Sequence, residues 1–190
     1  LSQIRATTIT TSQKQVIIDK SFNSVTSSST VVNFNFEGID ISHVIVKTGI
    51  YPLVPFPQLM KGAKIQFDES ILPLTVNSPI DLDGVTQVFD FSNIIDSTKA
   101  QLTFDTINFN GFSSLEVIGV NAINHLTISN ANINENAVVS ILSPTVISNS
   151  IVAIGNSVLK GTFDVLSTTT IQLQWKLNST PLIETTTTMT

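Results

Sequence analysis

Cysteine is absent from this chain of 190 residues, which excludes disulfides, thiolate nucleophiles and cysteine-held metals. Charge is scarce too: Asp, Glu, Lys and Arg make up 12% of the residues, about half the share usual for a soluble domain. The 9 Lys and Arg are scattered singly against 14 acidic residues, for a formal charge of −5. No basic stripe therefore exists to displace counterions from phosphates, and nucleic acid is not expected as a partner. No apolar run approaches the roughly 18 residues that a membrane-spanning helix requires.

Catalytic signatures are missing as well. The two histidines, His43 and His125, sit within strand-like patterns and not beside a candidate nucleophile. No G-x-S-x-G, H-E-x-x-H or glycine-rich phosphate loop occurs. Asp81-Leu82-Asp83-Gly84 resembles the opening of a calcium loop, but the further acidic ligands and closing Glu do not follow, so a plain turn is expected. Asp68 and Glu69 are adjacent and would face opposite sides of a strand, which disqualifies them as a catalytic pair. The chain is expected not to be an enzyme and to need no cofactor or metal.

What the sequence does hold is Ser, Thr, Asn and β-forming apolar residues in alternation. Val32, Phe34 and Phe36 alternate with Asn33 and Asn35 before Gly38, a period of two that defines a strand with one apolar face. Residues 41–47 are apolar on both faces. Leu102 and Phe104 set one phase and Ile107 and Phe109 resume it one residue late, which predicts a bulge or bend between them. The clearest alternation is the last, with Ile171, Leu173, Trp175 and Leu177 on one side, and it places Trp175 toward the core. Shorter apolar runs, at 115–120, 126–128, 138–142, 151–154 and 163–166, are separated by Asn, Ser, Gly or Pro.

That spacing predicts an all-β fold, an antiparallel β-sandwich of jelly-roll or immunoglobulin-like type with an extended N-terminal β-arm. The alternative is a parallel β-helix over 115–163, where ISN, ISNS and IGNS recur near the turns, although no fixed period is evident. One short helix is expected over 92–100, capped by Ser92 or Asn93. Tyr51 to Pro57 carries three prolines and reads as an extended loop.

The N-terminus divides into an arm (1–20), a polar joint (21–30) and the β-domain (31–190). Ile4, Ile9, Val16, Ile17 and Ile18 are the arm's apolar anchors, suited to adding a strand to the sheet of a neighbouring subunit. The chain opens at Leu1 without an initiator Met, which reads as a product from which a signal segment has been removed. Asn178-Ser179-Thr180 is the single N-glycosylation sequon, with Asn178 as acceptor.

A cysteine-free chain rich in Ser, Thr and Asn, with a β-prone arm, resembles the subunits of archaeal extracellular filaments assembled by donor-strand complementation, in particular the thread filaments of thermoacidophiles. The resemblance implies a secreted, cell-surface subunit that polymerises with itself, head to tail, by inserting its N-terminal strand into the next copy, and that contacts other cell-surface components. Two other readings of the chain remain open: a carbohydrate- or receptor-binding module of a surface protein or viral fibre, and a jelly-roll coat protein.

Overall fold

The computed structural model describes residues 72–119 and 125–185, Gly62, Lys64–Phe67 and Glu69, together with the backbone of two earlier strands. Its strands are β1 (Gln15–Ile18), β2 (His43–Val46), β3 (Lys64–Phe67), β4 (Leu74–Val76), β5 (Ile80–Asp83), β6 (Thr86–Asp90), β7 (Leu102–Asn110), β8 (Phe112–Ile118), β9 (Leu126–Ile133), β10 (Val138–Ile154), β11 (Val158–Val165), β12 (Thr170–Gln174) and β13 (Leu182–Thr185).

Every pairing between these strands is parallel. An antiparallel sandwich is thereby ruled out, and the chain is a parallel β-solenoid. Parallel neighbours cannot be joined by a tight hairpin. The chain instead travels round a full turn before returning beside itself, taking from 18 residues (Thr145 to Phe163) to 28 (Thr86 to Ser114).

Three ladders result. The first runs β1–β2–β3–β6–β8, the start of β10, the start of β11, then β13. The second stacks β4 on the first halves of β7 and β9, the middle of β10 and the end of β11. The third stacks β5 on the second halves of β7 and β9, the end of β10 and finally β12.

Alternation sends every second side chain inward, and stacking turns these into columns. Ile80, Ile107, Ala131, Ile151 and Ile171 form one column, and Leu82, Phe109, Ile133, Ala153 and Leu173 its neighbour. Large residues sit beside small ones, in keeping with the close packing of protein interiors. In the second ladder Val76, Phe104, Ile128, Ile147 and Val165 do the same. Each sealed Leu, Ile or Phe contributes about 1.5–3 kcal/mol, which replaces the staples that a cysteine-free chain lacks. Where the first and second ladders meet, Phe67 lies edge-on to Phe91 at 5.5 Å and Phe89 tilts against Phe104 at 5.6 Å.

The corners follow from local chemistry. Between the third and first ladders, successive turns each place one residue in the left-handed region: Gly84 (φ 67), Gly111 (62), Asn136 (67), Gly155 (63) and Asn178 (62). Only Gly and Asn adopt that backbone cheaply. Between the second and third ladders the inward phase slips by one residue, at Asp105–Thr106 in β7 and at Ser129–Asn130 in β9, so the bend expected in 102–109 is a corner. The expected helix over 92–100 is reduced to a single 3-10 turn, Ser97–Lys99, capped by Asp96 instead of Ser92 or Asn93.

Candidate functional site

The outer face of the third ladder is a field of amides. Its outward positions align as Asp81, Asn108, Asn132, Val152 and Gln172 in one row and Asp83, Asn110 and then Ile154, Gln174 in the next, with Asn134 bonded to Asn110. Asn132 Nδ2 donates to Asn108 Oδ1 at 2.8 Å, and Asn108 Nδ2 donates to Asp81 Oδ1 at 2.9 Å. The chain of donors ends on a carboxylate, which accepts and cannot donate. Asp81 therefore finishes an amide ladder, and Asp83 holds the matching position in the next row. Among the described residues no group of three or more His, Cys, Asp or Glu could hold a metal ion.

Beside this face, at the corner, Asn130 is held from several directions. Its Nδ2 donates to the Asp105 carbonyl oxygen at 3.0 Å, while its Oδ1 accepts from Asn149 Nδ2 at 2.6 Å and Ser150 Oγ at 2.9 Å. Such bonds fix the side chains before any ligand arrives, so little ordering cost remains for binding. The groups still face solvent, with Asn108, Asn132 and Asn134 half-buried and all of β12 exposed.

One residue past the last strand of this ladder stands an exposed aromatic residue. Trp175 follows Gln174 and is 66% exposed, and Leu177 beyond it is 92% exposed. The sequence expectation that Trp175 faces the core is thus corrected. The alternation read there is real, but β12 is the last rung of its ladder and the chain leaves it at Trp175. The turn that follows is fastened: Gly155 N–H donates to the Gln174 carbonyl at 2.9 Å, Lys176 bridges to Ser179, and Lys176 Nζ lies 2.7 Å from Glu135 Oε2. The space above Gly155 is filled by Glu135, whose Cγ would lie 3.1 Å from a β carbon at that position.

The other residues singled out in the sequence lie elsewhere. Asn178 occupies the left-handed corner and is exposed. The backbone of Val16, Ile17 and Ile18 forms β1 and pairs with Val44, Ile45 and Val46 of the same chain. Ile4, Ile9, Asp68 and the 51–57 loop lie outside the described residues. Glu69 accepts from the Asp96 backbone N–H at 2.6 Å. His43 is in β2, and His125 is buried, its Nδ1 donating to the Ala100 carbonyl at 2.6 Å.

Sequence reasoning did not single out the amide rows, although their signal is present as Asn108-Phe109-Asn110 and Asn132-Ile133-Asn134. A shallow groove on the outside of the first ladder, of about 430 Å³, is lined by Leu142, Lys160 and Glu184 among others, but it lacks an aromatic platform. Among the described residues no helix is long and apolar enough to cross a membrane. No family model, curated protein or solved structure matches the chain.

Proposed function

We propose that this chain is a binding segment of an extracellular surface protein or fibre, and that the outer face of its third ladder takes up a neutral carbohydrate. The observation that carries this reading is the exposed Trp175 at the end of the pre-ordered amide rows. Sugars present hydroxyls that pair with amide donors and acceptors, and an apolar ring face that packs on an aromatic side chain. Amides and hydroxyls do not titrate near neutral pH, so this face suits recognition better than proton transfer. A surface carried by hydroxyls and amides also changes little with pH or salt, in keeping with an exterior location.

The test is a glycan array followed by calorimetry with the best neutral glycan. Trp175→Ala is expected to weaken binding at least about tenfold, a loss of about 1.4 kcal/mol, and Asn132→Ala to weaken it by a smaller factor. The reading fails if the unmodified chain retains no glycan, or if Trp175→Ala binds as tightly as the parent.

A further inference from the structure

The outward rows of the third ladder repeat one chemistry at a fixed spacing. Five strands, β5, β7, β9, β10 and β12, contribute one rung each, and the row that starts at Asp81 continues through Asn108, Asn132, Val152 and Gln172. Neighbouring rungs lie about 4.8 Å apart, so this row runs about 19 Å along the solenoid axis. The second row, two residues further along each strand, stands about 6.6 Å to its side. The face is therefore long along the axis and narrow across it. Its own bonds leave much of the row available. Asn108 donates one amide hydrogen to Asp81 and accepts one bond from Asn132, whereas a carboxamide has two donor hydrogens and two acceptor sites. One donor and one acceptor of Asn108 thus remain for a ligand, and Gln172 lies on β12, exposed along its whole length.

Building on the carbohydrate reading, we propose that the ligand is an extended, neutral chain of β-1,4-linked pyranose units that lies along the solenoid axis, one unit to a rung. A flat ribbon of this kind advances by close to the rung spacing per unit, so successive sugars fall over successive rungs. A glycan lying across the strands would meet only the two rows, and a coiled α-1,4 chain would leave the plane of the face. Asp81 and Asp83 occupy the first rung, and their charge repels uronic acids, which restricts the chain to neutral units. Val152, half-buried on the fourth rung, gives an apolar contact to the ring above it. Each further rung engages a sugar already tethered to its neighbour, so affinity rises with chain length.

The test is calorimetry of the unmodified chain with cello-, manno- and xylo-oligosaccharides of two and six units, beside malto-oligosaccharides of the same lengths. At least one β-1,4 hexamer is expected to bind at least about tenfold more tightly than its dimer, while the malto series shows no such gain. Two variants locate the chain. Asn108 and Gln172 stand three rungs apart, about 14 Å, which is further than a disaccharide reaches. Asn108→Ala and Gln172→Ala should each weaken the hexamer several-fold, and no more than one of them should affect the dimer, with circular dichroism confirming that both variants fold. The length series uses the unmodified chain and decides the matter even if a variant does not fold. A hexamer that binds no more tightly than its dimer, or an equal gain in the malto series, overturns the axial chain and leaves the carbohydrate reading standing. If no glycan of the array or of these series binds, the carbohydrate reading fails and the axial chain fails with it.

Discussion

The Lys176 ammonium lies 2.7 Å from the Glu135 carboxylate, two rungs of the solenoid away, with both side chains about half exposed, at 52% and 44%. An ion pair so open to solvent is screened and adds little to folding, less than about 1 kcal/mol. Its position beside Trp175 matters more, because it fastens the turn that carries the indole.

Lys176→Ala is therefore expected to leave the urea midpoint nearly unchanged while loosening the turn. Trp175 is the one tryptophan in the chain, so its fluorescence anisotropy reports on that site alone. A fall in anisotropy without loss of stability is the expected result. An unchanged anisotropy would show that Gly155 and the Lys176–Ser179 bridge hold the turn by themselves.

Gly161 supplies the sharpest stability prediction. A β carbon there would lie 2.1 Å from the Ile141 carbonyl oxygen, on backbone with φ 129. The obstacle is main chain inside a ladder, which cannot swing aside. Gly161→Ala should cost at least about 2 kcal/mol in guanidinium denaturation. Gly84→Ala, with φ 67 and nothing within 4 Å, should cost only the left-handed backbone penalty of about 1 kcal/mol. Equal losses at the two positions would refute the close-approach explanation.

Much of the fold was legible in residues whose meaning depends on local geometry. The slip between Phe104 and Ile107 marks a true corner. ISN and ISNS mark the same corner one turn apart, Ile128 facing Ile147 and Asn130 facing Ser150, with the extra residue absorbed as a register shift. The solenoid as a whole was masked by its connections. Between the first and second ladders the chain takes residues 91–101 in one turn but only 142–144 in another, so the repeat has no constant length and self-comparison finds none. Inward alternation is identical in a sandwich and a solenoid, which is why alternation alone did not separate them. Trp175 was misplaced because it follows the alternation of Ile171 and Leu173 but lies one residue beyond the end of β12, where the chain leaves the ladder.

Asp96 gives the pH prediction. Its carboxylate caps the 3-10 turn, accepting from Thr98 Oγ1 at 2.6 Å and from the Thr98 backbone N–H at 3.1 Å. The side-chain bond first, then the backbone bond, hold its pKa below the ordinary 3.8, with Lys99 assisting. A carboxyl depressed in the folded state stabilises above its unfolded pKa, and this contribution is lost as pH falls through the folded value. The difference in denaturation midpoint between the parent and Asp96→Ala should be constant from pH 7 down to about 5 and shrink below about pH 4. A difference that persists unchanged to pH 2 would show that the carboxylate charge is irrelevant to the cap.

The parallel stacking also determines how the molecule answers to force. Each rung is bonded to the rungs on either side and lies across the axis, so tension applied along the axis loads the hydrogen bonds between rungs in line with the pull. They open in sequence, as a zipper does, and not all at once as in a sheet loaded along its strands. β10 runs unbroken from Val138 to Ile154 through all three ladders, so a stretched chain would pay out in steps of roughly one turn, each step releasing slack while the turns beyond it stayed wound.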